Sequence, residues 1–192
     1  DDRQVVKYSL PDKPDSWPSS YFVPFETEFQ DKLNALEVCN NSLLVFSGFY
    51  GYRMDDLPRY TDGEDLLSAR GRAKEPFSTG HGCLSPRGTA VFNVFGSGEL
   101  CLFVCRDGIH ITDGFKADYA SNAIDWENTV DIPSLDRATL KNNPKRHRVE
   151  FRYFDKTDTT KVKRLDFYYH PKLLMRQSEG VVAFPQLPVL GP

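Results

Sequence analysis

In the middle of this chain and near its end, apolar and polar residues alternate with a period of two, the pattern of strands that bury one face. Thr89–Phe95 alternates, Gly96-Ser97-Gly98 interrupts it, and Leu100–Arg106 is an apolar run. Asp107-Gly108 then stands between Arg106 and Ile109, and an Asp-Gly pair flanked by strand residues is a strong hairpin signal, because a type I′ turn needs positive φ at both central positions. Residues 90–112 are therefore predicted to form three successive antiparallel strands. A second hairpin follows: Val149, Phe151 and Tyr153 share one face of His147–Phe154, Leu165, Phe167 and Tyr169 share another, and residues 155–160 (DKTDTT) form the turn. Ser42–Tyr50 (SLLVFSGFY) has the length and aromatic content of a buried strand.

One segment carries a different period. Phe25, Phe29, Leu33 and Leu36 recur at spacings of four, four and three, which predicts a helix over 27–38. Residues 1–24 hold Pro11, Pro14, Pro18 and Pro24 and are expected to be an extended arm, with an edge strand around Gln4–Leu10. Gly51 to Gly88 is rich in Asp, Arg, Gly and Pro, and is expected to be a surface excursion with at most a short helix near Glu64–Arg70. Gly180–Pro192 is an uncharged tail with three prolines. Strands arrive in hairpins without strand–helix–strand alternation. The expected fold is mainly β: an antiparallel sandwich or barrel with one or two short peripheral helices, as one domain over 1–192.

Composition narrows the classes. The chain has 192 residues, the size of one ordinary domain, and its 14 Phe, 9 Tyr and 2 Trp exclude a disordered chain. No run approaches the roughly 18 apolar residues of a spanning helix, and the expectation is of no signal peptide and no membrane insertion. With 24 Lys+Arg against 27 Asp+Glu, the net charge of −3 argues against nucleic acid as a partner. The total conceals an asymmetry. Residues 1–72 hold 8 Lys+Arg against 13 Asp+Glu, a net −5, whereas residues 141–164 hold 9 against 3, a net +6. That basic hairpin is a candidate surface for an anionic glycan or acidic partner, or a device that keeps an exposed strand from pairing.

Cys39, Cys83, Cys101 and Cys105 show neither a Cys-x-x-Cys pair nor zinc spacing. Cys101 and Cys105 lie on one face of one strand, about 13 Å apart at 3.3 Å per residue, beyond disulfide reach. Four buried free thiols are expected, with a Cys39–Cys83 bridge left open. Asn40-Asn41-Ser42 is a formal glycosylation sequon, too short a pattern to decide anything.

The search for chemistry yields one catalytic-looking string. Asp107-Gly108-Ile109-His110 resembles the Asp-x-x-His block of lipases and esterases with a Ser nucleophile, in which the carboxylate orients the imidazole. The Gly-Asp-Ser motif of that family is absent, and the turn already accounts for Asp107 and Gly108. His81, His110, His147 and His170 are too scattered for a metal cluster at any familiar spacing, and Gly80-His81-Gly82-Cys83 reads as a surface loop. No metal or cofactor is expected. Binding is better represented: Phe49–Tyr60 (FYGYRMDDLPRY) concentrates Tyr50, Tyr52, Arg53, Asp55, Asp56, Arg59 and Tyr60 in what reads as a loop, and Tyr and Arg are enriched at interface hot spots.

The strand–turn–strand ELCLFVCRDGIHIT resembles a hairpin in the protruding or spike domains of non-enveloped virus capsids of the calicivirus and astrovirus kinds. The resemblance covers about a tenth of the chain. It implies a dimeric β attachment domain on a virion surface that binds a host receptor, often a carbohydrate, and it carries over no functional residue. A non-enzymatic recognition module is therefore the leading expectation. The alternatives are a lipocalin-like barrel carrying a small apolar ligand, although Trp17 in Ser-Trp-Pro lacks that family's Gly-x-Trp context, and a hydrolase using Asp107 and His110.

Overall fold

The computed structural model describes residues 5–9, 13–16, 22–25, 31–55, 74–94, 98–169 and 181–183. The fold is mainly β, and of the two expected architectures it is the sandwich, extended by a third layer. Strands β3 (Leu33–Cys39), β4 (Ser42–Ser47), β5 (Tyr50–Met54) and β6 (Glu75–Thr79) form the first four-stranded sheet, in that order. β7 (Thr89–Val94), β8 (Gly98–Val104), β9 (Ile109–Thr112) and β10 (Ala117–Tyr119) form the second. The third holds β11 (Thr139–Asn143), β12 (Arg148–Phe154) and β13 (Val162–Tyr168), with β14 (Val181–Ala183) parallel to β13. Outside the stack, β1 (Val5–Lys7) pairs with β2 (Phe22–Pro24), so the expected edge strand in the N-terminal arm is present.

The sheets approach most closely along their first strands, with β7 against both β3 and β11. The period of two accounts for the stacking. On β8, Leu100, Leu102 and Val104 face the third sheet, where they meet Val149, Phe151, Tyr153 and Phe167. Cys101, Phe103 and the following Cys105 face the first sheet, where they meet Ala35, Cys39, Leu44 and Phe46. The middle sheet is thus covered on both sides, and every residue of β9 is buried. All four cysteines are buried and free, Cys39 and Cys83 included, and all lie in the layer between the first two sheets. Burial pushes the Cys39 thiol up to about 12 and Cys83 up to about 11.

Three local expectations are corrected. Residues 33–39 form β3 and not the end of a helix over 27–38. The inward positions of β3 are Ala35, Glu37 and Cys39, while Leu36 and Val38 point outward at 52% and 63% exposure. Glu37 is tolerated inside because Thr89 Oγ1 donates to it at 2.8 Å. A small residue and a carboxylate on the buried face, with branched residues outside, hide the period of two. The excursion over 51–88 contains β5 and β6, so the Tyr/Arg segment is largely strand; the short helix expected near 64–70 lies outside the described residues. Finally, the two-residue left-handed turn is made by Asn40 and Asn41, at φ +50° and +63° between paired Cys39 and Ser42. At Asp107-Gly108 the last pair is Val104 with Ile109, leaving a four-residue loop in which only Gly108 has positive φ and Cys105 N donates to Gly108 O at 2.7 Å. The helical content among the described residues is short and peripheral, as expected: α1 (Trp126–Thr129) and 3-10 turns at Ile132–Arg137 and Pro144–Arg146.

Candidate functional site

Of the Tyr/Arg/Asp set, the described tyrosines and Arg53 lie on opposite faces of β5. Tyr50 and Tyr52 stack on each other at 5.9 Å, and Tyr52 meets Phe25 edge-on at 5.1 Å on the side of the N-terminal arm. Arg53 points to the other face of β5, where its guanidinium lies 3.9 Å from the Phe115 ring centre and pairs with Asp55 and, at 3.6 Å, Glu75. Asp55 also accepts from Ser42 Oγ at 2.7 Å, and the hydrogen bond from Arg53 holds its carboxyl below the ordinary range. Asp56, Arg59 and Tyr60 lie outside the described residues. The basic hairpin is similarly occupied. Lys163 pairs with Asp155 at 2.5 Å, Arg164 with Asp166 at 3.2 Å, and Arg148 with Glu150 and Asp166 at 2.7 and 2.9 Å.

What the fold does bring together is His81, Asp107 and His110, which corrects the expectation that the histidines are too scattered to cluster. His81 Nδ1 lies 3.3 Å from one Asp107 carboxylate oxygen, and His110 Nε2 lies 3.2 Å from the other. The two imidazole rings stack at 4.6 Å with 27° between their planes. His81 and Asp107 are about half exposed, at 45% and 50% of their side chains, whereas His110 is at 6%. Burial lowers the His110 pKa against the opposing pull of Asp107.

Each member is held by its local sequence. His110 is the second residue of β9, and its cross-strand partners are Phe103 on β8 and Tyr119 on β10. Their rings flank it at 5.7 and 5.2 Å, which fixes the imidazole plane. Asp107 sits in the β8–β9 loop, pinned by the Tyr119 hydroxyl donating to its backbone carbonyl at 3.1 Å and by Trp126 Nε1 donating to the Arg106 carbonyl at 3.0 Å. His81 lies between two glycines with different duties. Gly80 takes φ +83°, and Gly82 passes so close to the β4–β5 turn that a Cβ would lie 2.1 Å from the Ser47 carbonyl oxygen. Ser78 Oγ donates to the His81 carbonyl at 2.7 Å, and Cys83 N donates to the Ser47 carbonyl at 2.7 Å. The loop is therefore tightly seated. Cys83 turns into the core, away from His81.

Beside the cluster opens a cavity of about 460 Å³. Its walls come from the β4–β5 turn (Gly48, Phe49), the segment joining the first two sheets (Gly80, His81, Gly82 and Leu84), the β8–β9 loop (Cys105–Asp107) and the segment joining the second and third sheets (Ile132, Pro133). Connections of all three sheets thus meet at one end of the stack. Phe49 is 40% exposed there. The Asp-x-x-His pairing read from the sequence does form. Among the described residues, however, Asp107 is the one side chain hydrogen-bonded to either imidazole, so no hydroxyl or thiol nucleophile stands against the pair. No family model matches this chain, and no curated protein is significantly similar to it. No helix among the described residues is long and apolar enough to cross a membrane.

Proposed function

We propose that this chain is a non-enzymatic recognition module that binds a carbohydrate in the cavity at the loop end of the stack. The observation that carries this reading is the composition of the cavity wall. Phe49, Leu84, Ile132 and Pro133 supply apolar surface, and His81, Arg106 and Asp107 supply donors and acceptors. A pyranose presents the matching pair of features, a C–H face that packs on an aromatic ring and a rim of hydroxyls that bond to carboxylate and imidazole. Loops held by a rigid scaffold are the usual place for such sites, and here three sheets hold them. Attachment of a virion to a glycan-bearing receptor, the role that the capsid-spike resemblance implies, is the biological setting this reading favours.

The test is a glycan array followed by calorimetry on the strongest hit. Binding is expected, with Phe49→Ala weakening it at least about tenfold, the loss of roughly 1.4 kcal/mol of stacking. Absence of any glycan hit, or full affinity in Phe49→Ala, overturns the proposal.

A further inference from the structure

We infer that His81, Asp107 and His110 form a binding site for a single divalent transition cation of the zinc class. Two imidazoles and a carboxylate are a donor set that zinc takes in open sites, with a fourth position left to water or ligand. The three donor atoms all lie within 4.8 Å of one another. A tetrahedral ion with bonds of about 2.0–2.1 Å holds its donors roughly 3.3–3.4 Å apart. Both histidine nitrogens lie 3.3 Å from the same Asp107 oxygen, Oδ2, a separation that already has that length. The remaining adjustment falls between the two histidine nitrogens, and His81 is the half-exposed partner able to make it.

The supports already described act as an outer shell: Tyr119 and Trp126 fix the loop carrying Asp107, and Phe103 and Tyr119 fix the His110 plane. Because His81 and Asp107 line the cavity, the fourth position opens toward it. The site rests on side-chain geometry alone and does not depend on which molecule fills the cavity.

The experiment uses the metal-free full chain titrated with Zn²⁺ in calorimetry and with Co²⁺ in visible absorption, with no sugar present. One equivalent of Zn²⁺ is expected per chain, with a four-coordinate Co²⁺ spectrum that Zn²⁺ displaces. His81→Ala and Asp107→Asn are each expected to weaken binding at least about tenfold, the lower end of what losing even an outer-shell partner costs. His81 is on the surface, and the circular dichroism of His81→Ala establishes that the variant is folded. His147→Ala, remote from the cluster, is expected to bind like wild type. A stoichiometry far below one, an octahedral Co²⁺ spectrum, or unchanged affinity in His81→Ala overturns the inference. A glycan array that is silent while zinc binds would overturn the carbohydrate reading alone.

Discussion

Asn40 joins two sheets through its side chain, and replacing it tests how much of the fold depends on that joint. Its Nδ2 donates to the Glu99 and Asp113 carbonyls at 2.8 and 3.2 Å, and its Oδ1 accepts from Glu99 N at 2.9 Å. These bonds tie the β3–β4 turn to the second sheet. A net 0.5–1.5 kcal/mol is typical of one such bond, and because the turn is exposed, water recovers part of each, leaving about 0.5 kcal/mol apiece. Asn40→Ala therefore loses about 1.5 kcal/mol of bonding. It also places an alanine at φ +50°, where a Cβ-bearing residue without a local acceptor pays about 1 kcal/mol more. The expected sum is about 2.5 kcal/mol, which lowers a urea midpoint by a little over about 1 M for a slope near 2 kcal/mol/M. Asn40→Gly lacks the same bonds but relieves the backbone, so it should fall about midway between Ala and wild type. An Asn40→Ala cost under about 0.5 kcal/mol, or glycine at least as damaging as alanine, would refute the reasoning. The same geometry decides the sequon, since a glycan on Nδ2 would remove at least one of the two bonds that atom donates.

Two further outcomes follow from the described geometry. Gly82→Ala should cost more than about 3 kcal/mol or block folding, because its Cβ meets backbone that cannot yield, whereas Gly80→Ala, with open space but φ +83°, should cost about 1 kcal/mol; equal melting temperatures would contradict this. Glu150 accepts from Arg148 Nε and Nη2 at 3.1 and 2.7 Å, which holds its carboxyl below the ordinary range. A depressed folded pKa gives stability that is present above about pH 4.3 and lost as pH falls through the folded value, so unfolding free energies measured between pH 5 and 3 should fall less steeply in Glu150→Gln.

Where the buried face of a strand is apolar throughout, its position is legible in the chain. The meander over β7–β9 and the β12–β13 hairpin follow from alternation, down to Cys101 and Cys105 sharing a face. Legibility fails where tertiary contacts override local pattern. Glu37 on an inward position makes β3 look helical, and its compensating partner, Thr89, lies on another sheet. Asn40-Asn41 between two apolar runs is a usable turn signal, obscured by its coincidence with a sequon. The histidine–aspartate cluster is visible only in part. Asp107 and His110 are near neighbours in sequence, but His81 joins them through a glycine-flanked segment whose path is set by backbone contact with Ser47. In the Tyr/Arg segment composition is legible and geometry is not, because alternation along β5 sends Tyr52 and Arg53 to opposite sides.

The layered order of the sheets bears on how the molecule comes apart. When each layer touches only its neighbours, persistence is a nearest-neighbour property. The middle sheet has two broad interfaces to lose, while the third is packed on it by one described core. Fraying should begin at the periphery and reach β8 and β9 last. His110 and Asp107 belong to that innermost layer and its loop, so this pair hangs from the most durable part of the molecule and would outlast partial opening of the sheets around it.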